Sequence, residues 1–367
     1  MDHIRYYDRT QKVLRQYLNN TENIFNELLS EYSGSAKIKT SLDLGFPHDV
    51  IRIAGGFATG AYVEWDSSFP IIPVDTCVNV CTCSFFEVSD HIQKIFKTVI
   101  FEELNKKLAN SIYVSNFHRG NHFISFLKSQ TTSKLFLVLH SSAFEFERNF
   151  NGLYPIAGNW YYDRIKTYAN KNGYIRYISG SDVELFFKIA HHSISFNENR
   201  HEFIAYQLLQ GTAKVQTIKH HHHYFMPNNH SVVMGNHIIK AGDIAPVLTL
   251  PGENIYMVKF NKAKVKDLYI DREKFLVPHG WGKRHKNVPM LSLDITTNKF
   301  YLDENTYDIV FGESLRTHPN LELRDFQTAT CGRKENFFSV LGEMYEYSLI
   351  DELSQIASYN KSGVRIW

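Results

Sequence analysis

A single α+β domain is the architecture this 367-residue chain predicts, and three observations carry the expectation. Amphipathic helical blocks alternate irregularly with β-branched and aromatic runs, without the regular rhythm of a doubly wound parallel sheet. Neither an internal repeat nor a Pro/Gly/Ser-rich linker divides the chain. At 43% hydrophobic and 21% charged residues, it has the composition of a globular protein able to bury a substantial core. The expected fold is one large domain of mixed β-sheets with flanking helices.

Each element has its own signal. Val13, Leu14, Leu18, Ile24, Leu28 and Leu29 recur at helical spacing over Thr10–Ser33, and Gly34 stops the pattern. This predicts a surface helix inside an N-terminal helical extension, residues 1–44, ahead of a main domain over 45–367. Short runs broken by Gly and Pro predict strands at Ile51–Ile53, Ala61–Trp65 and Ile71–Val80. A helix is expected over Asp90–Ala109, then strands over Ile112–Val114, Phe123–Leu127 and Lys134–His140. A second long helix is expected over Asp182–Leu209, with strands and turns over Val215–Phe260. A loop-rich stretch over Gly280–Pro319 and a closing helix near Phe337–Ser358 complete the pattern.

Charge and composition narrow the function. The 40 Lys+Arg against 38 Asp+Glu leave a formal charge of +2, so nucleic-acid binding would have to come from a local patch. The polar start Met1–Asp8 and apolar runs no longer than the likes of Leu135–Leu139 predict no targeting segment and no membrane span, which needs roughly 18 apolar residues. A cytoplasmic protein is expected. Cys77, Cys81 and Cys83 would all face one side of a period-two strand, a crowding unlike a secreted disulfide framework and suited to a reducing compartment.

Histidine is the anomaly, with 18 residues. Four contexts stand out: Gly120-Asn121-His122-Phe123 before a strand, Leu139-His140-Ser141 ending one, the run His220-His221-His222-His223-Tyr224, and Pro278-His279-Gly280-Trp281-Gly282-Lys283-Arg284 in a turn. A histidine ending an apolar strand is rigidly aimed, as a ligand must be. Taken singly, each is more often a core or turn histidine with one hydrogen bond. The four-histidine run is internal and flanked by strand-like residues, which favours a folded strand over a metal-binding tract. Imidazole with thiol ligands would suit zinc, iron or manganese.

These contexts, in this order, resemble the RtcB family of RNA ligases. Gly120–Phe123 is similar to the family's Gly-Asn-His-Phe, Leu139–Ser141 to its Leu-His-Ser, His220–Tyr224 to its Cys-His-His-Asn-Tyr and Pro278–Lys283 to its Ser-His-Gly-Ala-Gly-Arg. Ile239–Gly242, Pro251-Gly252 and Asn199-Arg200 resemble further family segments, and the likeness spans roughly residues 45–367. The resemblance implies an RtcB-like fold and a ligase that uses GTP and manganese to join an RNA 3′-phosphate or 2′,3′-cyclic phosphate to a 5′-hydroxyl. It implies His279 as the guanylylated nucleophile, and His122, His140 and His222 as metal ligands, helped by Asn79, Cys81 and Cys83. Asn121, Arg200, Lys240, Pro251, Gly252, Gly280, Gly282, Lys283 and Arg365 become nucleotide or phosphate contacts. GTP and RNA ends are the implied partners, a protein activator is a further one, and a membrane is not expected.

The chain also departs from the family. Ungapped alignment from Ile71-Ile72-Pro73 puts Asn79 and Thr82 where the family has Asp and Cys ligands, with Asp75, Cys81 or Cys83 as replacements. Gly55–Gly60 lacks both polar residues of the Asp-x-His-x-Gly loop. Ser125, His223, Lys283 and Arg365 replace a family Glu, Asn, Arg and Lys. Two rivals follow: an impaired relative that binds RNA ends or a partner, and, outside the family, a zinc hydrolase. The hydrolase needs a water-activating carboxylate beside the metal, and no His-Glu-x-x-His arrangement is present.

Overall fold

In the computed structural model the described residues are 8–88, 117, 122–143, 152–209, 214–249, 252–324, 334–360 and 362–367. The expected elements at Asp90–Ala109 and Ile112–Val114 lie outside them. Helix α1 (Arg9–Ser30) starts where Asp8 accepts from the Gln11 N–H at 2.9 Å. It buries Leu14, Leu18, Phe25, Leu28 and Leu29. Strand β1 is Ser35–Gly45, helix α2 Val50–Ala54, then β2 Thr59–Asp66, β3 Ile71–Pro73, β4 Cys81–Val88, β5 Phe123–Ser129 and β6 Leu135–Ser141. After β7 (Lys166–Asn170) and β8 (Gly173–Ser179) comes the long helix α3 (Ser181–Leu209). Strands β9 (Val215–Asn228), β10 (Ser231–Met234), β11 (Asn236–Lys240), β12 (Ile244–Val247), β13 (Ile255–Ala263) and β14 (Lys274–Pro278) follow. The chain ends with β15 (Lys283–His285), β16 (Leu291–Asp294), β17 (Lys299–Leu302), β18 (Asn305–Asp308), β19 (Leu321–Leu323), helix α4 (Lys334–Met344), β20 (Tyr345–Asn360) and β21 (Gly363–Ile366).

An 11-stranded sheet organises these elements in the order β1–β2–β10–β9–β4–β6–β5–β20–β13–β12, with β21 on β20. Among the described strands its pairings are antiparallel throughout, so the chain is α+β as composition and patterning predict. Helix α3 covers β4, β6 and β9 on one face. Among the described residues, no helix is long and apolar enough to cross a membrane.

Four expectations change. Residues 1–44 are not a helical extension set apart from the main domain: β1 pairs with β2 inside the sheet, and α1 shares its apolar cluster. Ile51–Ile53 is helical, within α2. The expected closing helix ends at Met344, and β20 runs between β13 and β5, because sheet pairing on both sides overrides the helical spacing of Leu349, Leu353 and Ile356. Cys77 precedes β4 with φ 46°, so only Cys81 and Cys83 share a strand face.

The segment leading into β4 is held by two arginines. Buried Arg52 donates to the Thr76 carbonyl at 3.1 Å and the Cys77 carbonyl at 2.7 Å. Arg176 forks onto the buried Asp75 carboxylate, Nε to Oδ2 at 3.0 Å and Nη2 to Oδ1 at 2.5 Å. The approach to the stretch carrying Asn79 and Cys81 is therefore anchored at three consecutive residues, Asp75, Thr76 and Cys77. Burial raises the Asp75 pKa above its ordinary 3.8 even though Arg176 pulls it down. Arg176→Leu strands that carboxylate and is expected to cost about 3–5 kcal/mol in urea unfolding. A carboxyl raised in the folded state carries no penalty below the unfolded value. The defect should therefore be small near pH 3.8 and deepen as pH rises through the folded value.

Candidate metal centre

The site forms where the face of β4, β6 and β9 opposite α3 meets the turn after β14. Alternation along β4 puts Cys81 and Cys83 on that face and Thr82 and Ser84 on the helix side. His140 of β6 lies opposite Cys83 and joins the first set. Strand β9 would present every second histidine, but its register slips: Thr82 faces His222 while Cys81 faces Tyr224, leaving His223 as the extra residue of a bulge. The bulge turns both His223 and Tyr224 into one cavity of about 850 Å³.

Three donor atoms converge in this cavity. Cys81 Sγ lies 3.1 Å from His140 Nε2, which lies 3.1 Å from His223 Nε2. All three residues are buried, and their donor atoms fall within 4.8 Å of one another. The His122 ring meets His140 edge-on at 5.6 Å, and Asn79 lines the same cavity with a buried Oδ1 that has no hydrogen bond among the described residues. One thiol and two imidazoles fit a divalent transition ion; the soft sulfur favours zinc over manganese, and the Asn79 oxygen is the harder donor. Burial, followed by the neighbouring His279 and His140, drives the His223 pKa well below its usual value, which keeps it a neutral ligand.

His279 stacks on His223 with ring centroids 4.5 Å apart and planes at 19°. Its orientation comes from Asp43 of β1, a carboxylate with 0% exposure. Asp43 Oδ2 accepts from the His279 backbone N–H at 2.7 Å and the Gly280 N–H at 3.3 Å, and lies 2.5 Å from His279 Nδ1. A carboxylate accepts, so the Nδ1 atom carries the proton and the lone pair sits on Nε2. Among the described residues no hydrogen bond engages that Nε2. The carboxylate at the site thus comes from β1, upstream of the Gly55–Gly60 segment.

A basic wall stands across the cavity. Lys283, Arg52, Arg316 and Arg365 line it. Lys283 Nζ donates to His48 Nδ1 at 3.2 Å. His48 is held well below its usual pKa by burial first, then by Lys283, Arg316 and Arg52, a measure of the positive field there. Gly280 and Gly282 also line the cavity, and Gly282 has φ 66° with no room for a Cβ beside the Asp43 carbonyl. Buried His237 donates Nδ1–H to the His222 carbonyl at 3.1 Å, and burial, reinforced by His279, lowers its pKa to about 3.

Other expected residues lie elsewhere. His222 points to the helix side, 3.0 Å from Thr82 Oγ1 and 2.9 Å from Glu198 Oε1, so His223 holds the place expected of His222. Cys83 sits in an apolar cluster with Phe85, Leu127 and Val138, where burial pushes its thiol up and disfavours a thiolate. Arg200 is buried behind the sheet, bonded to Ser141 Oγ at 2.9 Å and to the Ser142 carbonyl, tying β6 to α3. Lys240 is exposed and paired with Glu273 at 2.9 Å. Gly252 adopts φ +91° against the Trp367 indole, away from the cavity lining. Asn121 and Pro251 lie outside the described residues.

The chain matches no protein-family model and no curated protein. Cobalt(II) separates the two neighbouring histidines. A thiolate-to-cobalt absorption should disappear in Cys81→Ser, weaken by more than about 10-fold in apparent affinity in His223→Ala, and persist in His222→Ala. Equal losses in the last two variants would place His222 at the ion after all.

Proposed function

We propose that this chain is a divergent RtcB-like RNA ligase in which His279 is the nucleophile that carries GMP. The observation that supports it most is the pairing of His279 with Asp43, which leaves a directed Nε2 lone pair beside the donor cluster and a basic wall. A donor cluster with no carboxylate among its described members, and an imidazole fixed in one tautomer, suit covalent transfer better than water activation.

The chain's own residues divide the work. Asp43 fixes the tautomer and cancels the positive charge that builds on the ring as Nε2 bonds to the α-phosphorus of GTP. That bond forms as the bond to pyrophosphate breaks, and pyrophosphate leaves with the electron pair. The basic wall of Lys283, Arg316 and Arg52 offers charge for the phosphates. An RNA 3′-phosphate oxygen then takes the GMP as the N–P bond breaks, returning a neutral His279. The 5′-hydroxyl next attacks the activated 3′-phosphorus, losing its proton, and GMP departs. Cys81, His140 and His223, with His122 and Asn79 at the edge, would hold the divalent ion, manganese by the family likeness, which supplies charge neutralisation at the transferring phosphates. A cavity of about 850 Å³ is of nucleotide size.

Incubation with GTP labelled at the α-phosphate, with manganese, zinc or cobalt, should leave acid-labile label on the protein. His279→Ala should abolish it, and Asp43→Asn should slow it by at least on the order of 10²-fold while the fold is kept. No label with any of the three metals would overturn the proposal. Label without joining of 3′-phosphate and 5′-hydroxyl RNA would retain nucleotidyl transfer and reject RNA as the acceptor.

A further inference from the structure

Of the four-histidine run only His223 lines the cavity. His220 and His222 face α3, where His222 Nε2 lies 2.9 Å from Glu198 Oε1 and His220 Nε2 lies 3.3 Å from Glu202 Oε1. Two imidazoles spaced i,i+2 on a strand thus oppose two carboxylates spaced i,i+4 on a helix, and both spacings put side chains on one face. The seam opens to solvent: side-chain exposures are 16% and 48% for His220 and Glu202, and 20% and 32% for His222 and Glu198.

The nitrogen on the far side of each ring decides what these pairs can do. His222 Nδ1 is 3.0 Å from Thr82 Oγ1, and His220 Nδ1 is 2.7 Å from Ser84 Oγ. Ser84 Oγ also lies 2.6 Å from His201 Nδ1, and His201 Nε2 lies 2.6 Å from Ser141 Oγ, which reaches Asn197 Oδ1 at 3.2 Å and receives Arg200 Nη2 at 2.9 Å. Hydroxyls both donate and accept, so this chain is complete in two directions. In one, protons point outward: Ser141 to His201 Nε2, His201 Nδ1 to Ser84, Ser84 to His220 Nδ1, and His220 Nε2 to Glu202. In the other they point inward, Ser141 donates to Asn197, and His220 Nε2 is left as a lone pair opposite a carboxylate. A divalent cation between ring and carboxylate satisfies the inward state.

We propose that His220, His222, Glu198 and Glu202 form a second divalent-cation site of zinc class, joining β9 to α3 on the opposite face of the sheet from the cavity. With Nδ1–H donated to Thr82 Oγ1 and to Ser84 Oγ, both rings turn an Nε2 lone pair to the ion, the arrangement metal-ligating histidines use. The ion draws the two His–Glu pairs together through rotation of the exposed glutamates and replaces the two imidazole N–H donors.

The same criterion rejects a more tightly gathered group. His285, Asp303 and His318 bring their donor atoms within 4.8 Å. There, however, His285 Nδ1 accepts from the Asn287 N–H at 3.1 Å and His318 Nδ1 from the Asn320 N–H at 3.2 Å. His285 therefore carries its proton on Nε2, which lies 2.7 Å from Asp303 Oδ2, while His318 Nε2 lies 3.2 Å from Asn305 Nδ2. All four ring nitrogens already have protein partners, and the cluster is a hydrogen-bond clamp on the turn between β17 and β18.

The test uses the full chain carrying Cys81→Ser, which disables the thiolate centre. Zinc should still raise its melting temperature, and cobalt should bind with visible absorption lacking any thiolate band. Adding Glu198→Gln and Glu202→Gln, which keep shape and hydrogen bonding, should weaken that binding more than about 10-fold and cancel the zinc-dependent rise. His222→Gln, a check against loss of fold in the double variant, should do the same while melting normally without metal. Unchanged cobalt binding in either set, or no metal effect in Cys81→Ser alone, would overturn the proposal.

Discussion

The Asp43 carboxylate is the interaction on which the rest of the site depends. It has 0% exposure and takes three N–H groups from one short turn 236 and 237 residues further along the chain. A buried carboxylate left unpaired is costly, so the turn after β14 is held to the geometry that offers those donors. That geometry sets the His279 tautomer, and the stacked His223 ring carries the constraint into the donor cluster. Phe46 N–H to the Lys283 carbonyl at 3.0 Å closes the same junction from the other side. The first strand of the sheet and the turn that bears the proposed nucleophile therefore form one unit.

The central strands use their two faces for different chemistry. On one, Cys81, His140 and His223 gather donors around a cavity with a basic wall. On the other, hydroxyls of Thr82, Ser84 and Ser141 meet His201, His220, His222 and the carboxylates of α3. The single-residue bulge at His223 makes this division possible, because it lets adjacent β9 residues serve the cavity while the alternate set keeps its helix contacts.

Much of this is legible in the residues. Irregular interleaving of helical and strand patterns leads to α+β, and the strand-end contexts of His122 and His140 and the glycine turn around His279 lead to the cavity. What escapes is set by distant partners. The choice of His223 over His222 depends on a register slip against β4, about 140 residues earlier, and nothing within the run encodes it. β20 has helical apolar spacing and becomes a strand because β13 and β5 flank it. Asp43 leaves a fainter trace, a lone acid between Leu42 and Leu44 in the buried half of β1. Arg52 and Arg316 have no local signature, since their place on the wall follows from how α2 and the turn before β19 pack.

The central claim is that Asp43 holds His279 with its proton on Nδ1 and its reactive lone pair on Nε2. Locating the phosphoramidate nitrogen in protein trapped with GTP, by nitrogen and phosphorus NMR of the labelled His279 peptide, tests this most directly. Phosphorus bonded to Nε2 is the predicted result. Attachment at Nδ1, or on any residue other than His279, would contradict the account.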